Sequence, residues 1–114
     1  MLIRGNSWQK FVANKIMILY NVTINVDESI HDEWLEWMKT KHIPDVLATG
    51  MFIENKIFRI RTEEEGNTYS IQYFLKSDED YEKYQREFAP KLQAEHTEKF
   101  NGKFVAFRTV MELC

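Results

Sequence analysis

The sequence predicts an α+β fold in which four strands and two helices follow one another as β-α-β-β-α-β. Three patterns carry that prediction. The run from Ile18 to Val26 alternates apolar and polar residues with period two, as a strand with one buried face does. Apolar residues between Asp78 and Phe100 recur at spacings of three and four, as on one side of a helix. The pair Gly66-Asn67 stands between two further alternating runs and predicts a hairpin turn.

The first strand, Ile18–Val26, leads into a helix that Asp27 or Ser29 is expected to cap. Its inner stripe is predicted from helical spacing and comprises Ile30, Trp34, Trp37, Met38 and Lys41. Pro44 biases the residue before it away from helical backbone, so we expect a break or kink at Ile43. The stretch "PDVLAT" restarts a short helical turn, and Gly50 stops it.

The remaining elements follow the same logic. Residues 51–61 and 68–75 are predicted to form the hairpin, and Ser77 is predicted to cap the second helix. Pro90 should kink that helix, Gly102 should end it, and the last strand covers residues 103–113. This order is the ferredoxin-like split β-α-β arrangement, in which two helices cover one face of a four-stranded antiparallel sheet.

Composition limits the classes of function. With 114 residues, 44% of them hydrophobic, the chain is long enough for one domain with a packed core. The net charge of -3 argues against general nucleic-acid binding, which needs a basic face. No apolar run approaches the roughly 20 residues that span a membrane. The single cysteine, Cys114, cannot form an internal disulfide, so a cytoplasmic protein is expected.

Residues 1–16 differ from the rest because they carry Arg4, Lys10 and Lys15 but no acidic residue. They lack the apolar core of a signal peptide. We expect them to be an extension from an upstream start, with the domain covering residues 17–114. The alternative is a docking arm that uses Trp8 and Phe11.

The sheet face away from the helices is expected to meet a second copy of the chain. Its predicted residues mix amides and hydroxyls with large apolar groups, which suits neither pure solvent nor a pure core. A homodimer enclosing a partly polar cavity fits this mixture. The polar members are candidate ligand-binding residues: Asn21, Thr23, Ser70 and Gln72. The apolar members are expected to be Leu19, Phe74, Phe104 and Val110.

Two arginines lie within otherwise apolar strand runs. Alternation groups Arg108 with Phe104 and Ala106, on the expected cavity face, where a guanidinium would favour an anionic ligand. Arg59 is a weaker candidate for the same role. The alternative is that Arg108 pairs with a carboxylate of the protein or lies at an edge.

His42 is the candidate catalytic residue, because an imidazole beside a helix end can exchange a proton near neutral pH. The alternative is that it caps the helix carbonyls. We expect His31 to be exposed and His96 to be packed and hydrogen-bonded in the second helix. No metal-ligand cluster, glycine-rich phosphate loop or nucleophile motif is present, so no metal or cofactor is predicted.

The runs "MILYNVTINVDESIHDEWLEWMKTKHIPDVLATGMF", "YEKYQREFAPKLQAEH" and "GKFVAFRTVMEL" resemble a small bacterial family known only as a domain of unknown function. More distantly, "W..W....H.P" before a glycine and a strand resembles the dimeric α+β barrel superfamily. That superfamily includes EthD-like proteins and antibiotic-biosynthesis monooxygenases. The resemblance implies a dimer of ferredoxin-like subunits, with His42 and Pro44 beside a pocket.

Three functions follow as hypotheses. The first is a homodimeric barrel that binds a small anionic or aromatic molecule between sheet and helices. The second is a cofactor-independent monooxygenase or isomerase, with His42 as base and Asn21 or Arg108 holding an oxyanion. The third is a protein-interaction module that docks a partner on the acidic outer helices. Whether the protein is an enzyme stays open at this point.

Overall fold

A computed structural model describes residues 17–114 of the chain. The strands are β1 (Ile18–Val26), β2 (Glu54–Ile60), β3 (Asn67–Leu75) and β4 (Phe104–Glu112). The helices are α1 (His31–Trp37), α2 (Ile43–Leu47), α3 (Asp78–Glu87) and α4 (Ala89–Lys99). A 3₁₀ turn, Glu28–Ile30, precedes α1, and a π-helical turn, Met38–His42, joins α1 to α2. The extension predicted for residues 1–16 lies outside the described residues.

The four strands form one antiparallel sheet in the order β2-β3-β1-β4. The helices lie on one face of it, so the predicted ferredoxin-like α+β fold is confirmed. The core lies between that face and the helices. Alternate residues of the two central strands are buried there, and Trp34, Met38 and Val46 bury their side chains against them from the helix layer.

The first helix does not break at the proline. Ile43 keeps helical backbone angles, and its N–H bonds to the carbonyl of Met38, five residues back. Proline has no N–H and its ring crowds the carbonyl four residues earlier, so a wider π turn lets the chain pass Pro44 without leaving the helix. Lys41 lies within this turn, where it is exposed and paired with Asp45, which corrects its predicted place in the inner stripe.

The second helix is interrupted as expected. Ser77 caps α3 through its Oγ, which accepts a hydrogen bond from the Asp80 N–H at 3.1 Å. Phe88 leaves helical geometry between α3 and α4, and Pro90 lies in the first turn of α4. The break keeps the predicted apolar stripe on one side, with Tyr84, Leu92 and Phe100 buried.

The two faces of β4 are exchanged relative to the prediction. Val22 pairs with Arg108, and Ile24 pairs with Ala106. Paired residues of neighbouring strands point to the same face, so Arg108 lies on the helix side of the sheet. That side also holds Phe104 and Val110, whereas the open face receives Val105, Phe107, Thr109 and Met111. Both faces of β4 carry apolar residues, so alternation alone could not show which one meets the helices.

Within residues 17–114, no helix combines the length and the apolar character needed to cross a membrane.

Candidate functional site

A small cavity lies between the sheet and the helices, with a volume of about 30 Å³. Its floor is apolar and is formed by central strand residues such as Val22, Ile24 and Ile71. Its polar lining comes from both layers of the fold and comprises Tyr20, His42, Tyr73, Tyr84, Gln93, His96 and Arg108. The structure therefore brings His42 and Arg108, predicted independently, to one cavity.

His42 ends the π turn, and its ring is half-buried. The ring stacks on Trp37, with centroids 5.0 Å apart and planes inclined by 22°. Its Nδ1 is fully buried, and no described residue forms a hydrogen bond with it. Burial lowers the pKa of His42 from 6.5 to about 4. The charge of Asp45 raises this pKa, and the charges of Arg108 and Lys41 lower it. The ring is therefore neutral at pH 7 and has an unused polar atom.

His96 is buried on α4, as the helical spacing predicted. Its Nε2 accepts a hydrogen bond of 2.9 Å from the indole N–H of Trp34. Phe104 meets the ring edge-on at 4.0 Å between centroids, and Trp37 stacks on it at 5.6 Å. Burial lowers the pKa of His96 to about 4, with smaller effects from His42 and Arg108.

Arg108 stands at the outer side of the cavity. Its Nε donates to the Tyr20 hydroxyl at 3.1 Å, and the amide of Gln93 donates to the same oxygen at 3.5 Å. No carboxylate of residues 17–114 forms an ion pair with Arg108. The guanidinium is exposed, so its charge is available to a ligand at the mouth of the cavity.

The candidate residues of the open face lie on the opposite side of the sheet. Asn21 and Ser70 are buried there and bind each other, with the Ser70 hydroxyl donating to Asn21 Oδ1 at 2.6 Å. Asn21 also donates to Thr23, and Gln72 donates to Ser70. These four side chains form a polar patch across β1 and β3. The sheet separates the patch from His42, so Asn21 cannot share a reacting atom with that imidazole.

Arg59 belongs to a third cluster, on the helix side of the edge strand β2. It donates to the Tyr69 hydroxyl and to Asn67 Oδ1, and its guanidinium lies 5.6 Å from the centre of the Tyr69 ring. His31 also contacts the Tyr69 hydroxyl, at 2.6 Å, and stacks on that ring. His31 is thus mostly buried, which corrects its predicted exposure. The cluster is distinct from the cavity.

The sequence did not reveal Tyr20, Gln93, Tyr73 or Tyr84 as site residues. Tyr20 and Tyr73 face the core from β1 and β3, and Tyr84 faces it from α3; an aromatic ring is ordinary packing at such positions. The three residues line one cavity only once the strands pair and α3 packs on the sheet. The one signal in the sequence was three tyrosines on inward positions, because a buried hydroxyl needs a partner. Among the described residues, no three His, Cys, Asp or Glu side chains are grouped so that they could hold a metal ion.

The fold and this cavity define a class: a ferredoxin-like α+β domain with a polar pocket between its sheet and its helices. Residues 17–114 match the family model DUF4286, described as a domain of unknown function, and the chain belongs to that family. A search of curated proteins found no significant match.

Three solved structures illustrate the similarity in fold. An EthD family protein from Bacillus halodurans has 15% identity and a TM-score of 0.66, covering 85% of this chain and 99% of the other. A dimeric ferredoxin-like protein from an uncultured marine organism has 16% identity and a TM-score of 0.64, covering 85% and 94%. SnoaB, a cofactor-independent oxygenase from Streptomyces nogalater, has 8% identity and a TM-score of 0.62, covering 83% and 90%. The resemblance to EthD-like and dimeric ferredoxin-like proteins is thereby confirmed for the fold.

Proposed function

We propose that this protein is a homodimeric α+β barrel that binds a small anionic molecule at the cavity between its sheet and its helices. One observation carries the proposal: among residues 17–114, nothing forms a hydrogen bond with the buried Nδ1 of His42, and no carboxylate pairs with Arg108, which lines the same cavity. A buried polar atom without a partner costs about 1–3 kcal/mol. A ligand that uses both groups would recover that free energy.

The homodimer is supported by the open face of the sheet. Its edge strands carry exposed apolar side chains, with Val105 70%, Phe107 61% and Phe58 51% exposed. Apolar groups of this size on both edges, with a polar patch between them, suit a second sheet that contacts the edges and encloses the centre. Asn21, Thr23, Ser70 and Gln72 would then line a space inside the dimer, with Arg59 outside it.

Catalysis is the second candidate, favoured by the neutral state of His42. An unprotonated imidazole can accept a proton, and SnoaB, of similar fold, is named as a cofactor-independent oxygenase. A base whose pKa is about 4 is weak at pH 7, however, because the driving force for proton transfer falls with the pKa. Binding therefore ranks above catalysis.

A reducing compartment such as the cytoplasm suits the lone exposed thiol of Cys114.

Native mass spectrometry of the full chain, purified from its own host without added ligand, tests the proposal. We expect a dimer that carries a small molecule, which is released when the protein is denatured. Phe107→Glu should give a monomer, because it places a charge in the interface. Ala94→Glu adds the same charge to the exposed surface of α4 and should leave the dimer intact. A monomeric wild-type protein would contradict the proposed homodimer. A dimer that carries no small molecule would contradict the proposed binding function.

A further inference from the structure

We propose that the cavity receives the carboxylate head group of its ligand, and that the Tyr20 hydroxyl and the Nδ1–H of His96 donate hydrogen bonds to it. This inference rests on the proposed function and specifies which part of the ligand enters the fold. It follows from the donors and acceptors that the lining residues have left unused.

The Tyr20 hydroxyl has its proton left to donate to a ligand. A tyrosine hydroxyl has one proton and two lone pairs. Arg108 donates to its oxygen at 3.1 Å and Gln93 donates to it at 3.5 Å, so both lone pairs already face donors. The proton is left over, and no described residue accepts it. The positive charge of the Arg108 guanidinium also polarises the hydroxyl, which makes it a stronger donor.

His96 is a donor for a similar reason. Its Nε2 accepts from the indole of Trp34, so Nε2 carries no proton. The neutral ring must therefore hold its proton on Nδ1. Trp34 acts as a positioning residue in this respect, because its N–H selects the tautomer that offers a donor. The pKa of His96, lowered to about 4 by burial, is consistent with a neutral ring.

None of the described lining residues has a side chain that can only accept hydrogen bonds and so could pair with these two donors. No aspartate or glutamate of the described residues lines the cavity. Tyr73 and Tyr84 can donate or accept, and His42 can present either tautomer at its unpartnered Nδ1. A ligand group made only of acceptor oxygens satisfies this set. A ligand donor, by contrast, would compete with Tyr20 and His96 for the same few acceptors.

Charge and size select the carboxylate among acceptor groups. Among the lining residues that the structure describes, Arg108 alone has a full charge at pH 7, which matches a monoanion better than a phosphate. A volume of about 30 Å³ holds about two water molecules, which is the space of two carboxylate oxygens. Whole-ligand pockets are larger, about 300–1,000 Å³. The body of the ligand would therefore stay at the mouth, beside the exposed Arg108.

NMR titration of the isotope-labelled full chain at pH 7 tests the inference with three probes: benzoate, the neutral benzamide and inorganic phosphate. We expect benzoate to give saturable chemical-shift changes in cavity residues. The other two probes should bind at least about tenfold more weakly, because a hydrogen bond to a charged group contributes a difference of that size. Tyr20→Phe keeps the ring and removes the donor, so benzoate should bind about tenfold more weakly. Tyr81→Phe removes a hydroxyl from a half-buried tyrosine that packs on Tyr20 outside the cavity, and affinity should stay within about twofold.

A second pair of variants covers the case in which Tyr20→Phe fails to fold. Arg108 is exposed, so Arg108→Gln should fold and should lose the preference for benzoate over benzamide. Arg61→Gln, an exposed arginine beyond the end of β2, should keep that preference. Equal binding of benzoate to wild type and to the Tyr20 and Arg108 variants would overturn the inference while leaving a binding site in place. Tighter binding of benzamide or phosphate would overturn the carboxylate assignment. If no probe changes the chemical shifts of the cavity residues, the inference is also refuted. The proposed dimer and its bound small molecule would then be tested by native mass spectrometry alone.

Discussion

Acidification from pH 7 to pH 5 should destabilise this protein through its two cavity histidines. Burial lowers the pKa of both His42 and His96 from 6.5 to about 4 in the folded state. Between those values the unfolded chain binds more protons than the folded one, so stability falls as pH falls. The stability that these two neutral histidines contribute is fully present above about pH 6.5 and is lost progressively down to about pH 4. One pKa unit corresponds to about 1.4 kcal/mol, so each histidine loses about 2 kcal/mol by pH 5. Because the ring of His42 is partly exposed, we expect a total loss of about 2–4 kcal/mol.

Urea unfolding at pH 7, 6 and 5 measures this loss directly. His42→Gln should reduce the slope of stability against pH by about half, and the double variant His42→Gln/His96→Gln should nearly remove it. The comparison of slopes holds even if the variants are less stable at every pH. Carboxylates titrate mostly below this window, so they contribute little to it. The reasoning is wrong if wild type and double variant lose the same free energy between pH 7 and pH 5.

Three predictions concern the fold, each measured as a change in unfolding free energy by chemical denaturation. Gly66→Ala should cost more than Gly102→Ala, by about 1 kcal/mol or more. Both glycines have positive φ, but a Cβ at Gly66 would lie 2.8 Å from the Val26 carbonyl oxygen, whereas nothing lies within 4 Å at Gly102; equal costs would refute the steric argument. Ile71→Ala should cost about 2–5 kcal/mol, because Ile71 is 0% exposed and its loss leaves a cavity in the core; a cost below about 1 kcal/mol would contradict its place there. Ser77→Ala should cost about 1 kcal/mol by removing the cap of α3, and an unchanged stability would show that the cap is replaced by solvent.

The element order was predictable because its signals are local. A strand alternates with period two and a helix with period 3.6, so β1 was predicted with the bounds that the structure has. The cap at Ser77 and the interruption near Pro90 follow from side chains within a few residues of each other. The path of the first helix past Pro44 was not predictable in this way. A π turn and a break both accommodate a missing N–H, and packing of α1 and α2 against the sheet decides between them.

The face of β4 and the neighbours of His42 depended on the tertiary structure. Alternation divides a strand into two faces, but only its register with β1 shows that Arg108 points toward the helices. Likewise, Tyr20 meets Arg108 across 88 positions, and Trp34 meets His96 across 62. Sequence alone therefore determined the elements, their order and the candidate status of His42 and Arg108, because these depend on short-range periodicity and residue chemistry. The tertiary structure alone decided that these two residues share a cavity and that Asn21 lies behind the sheet, because contacts between distant positions depend on strand pairing and helix packing.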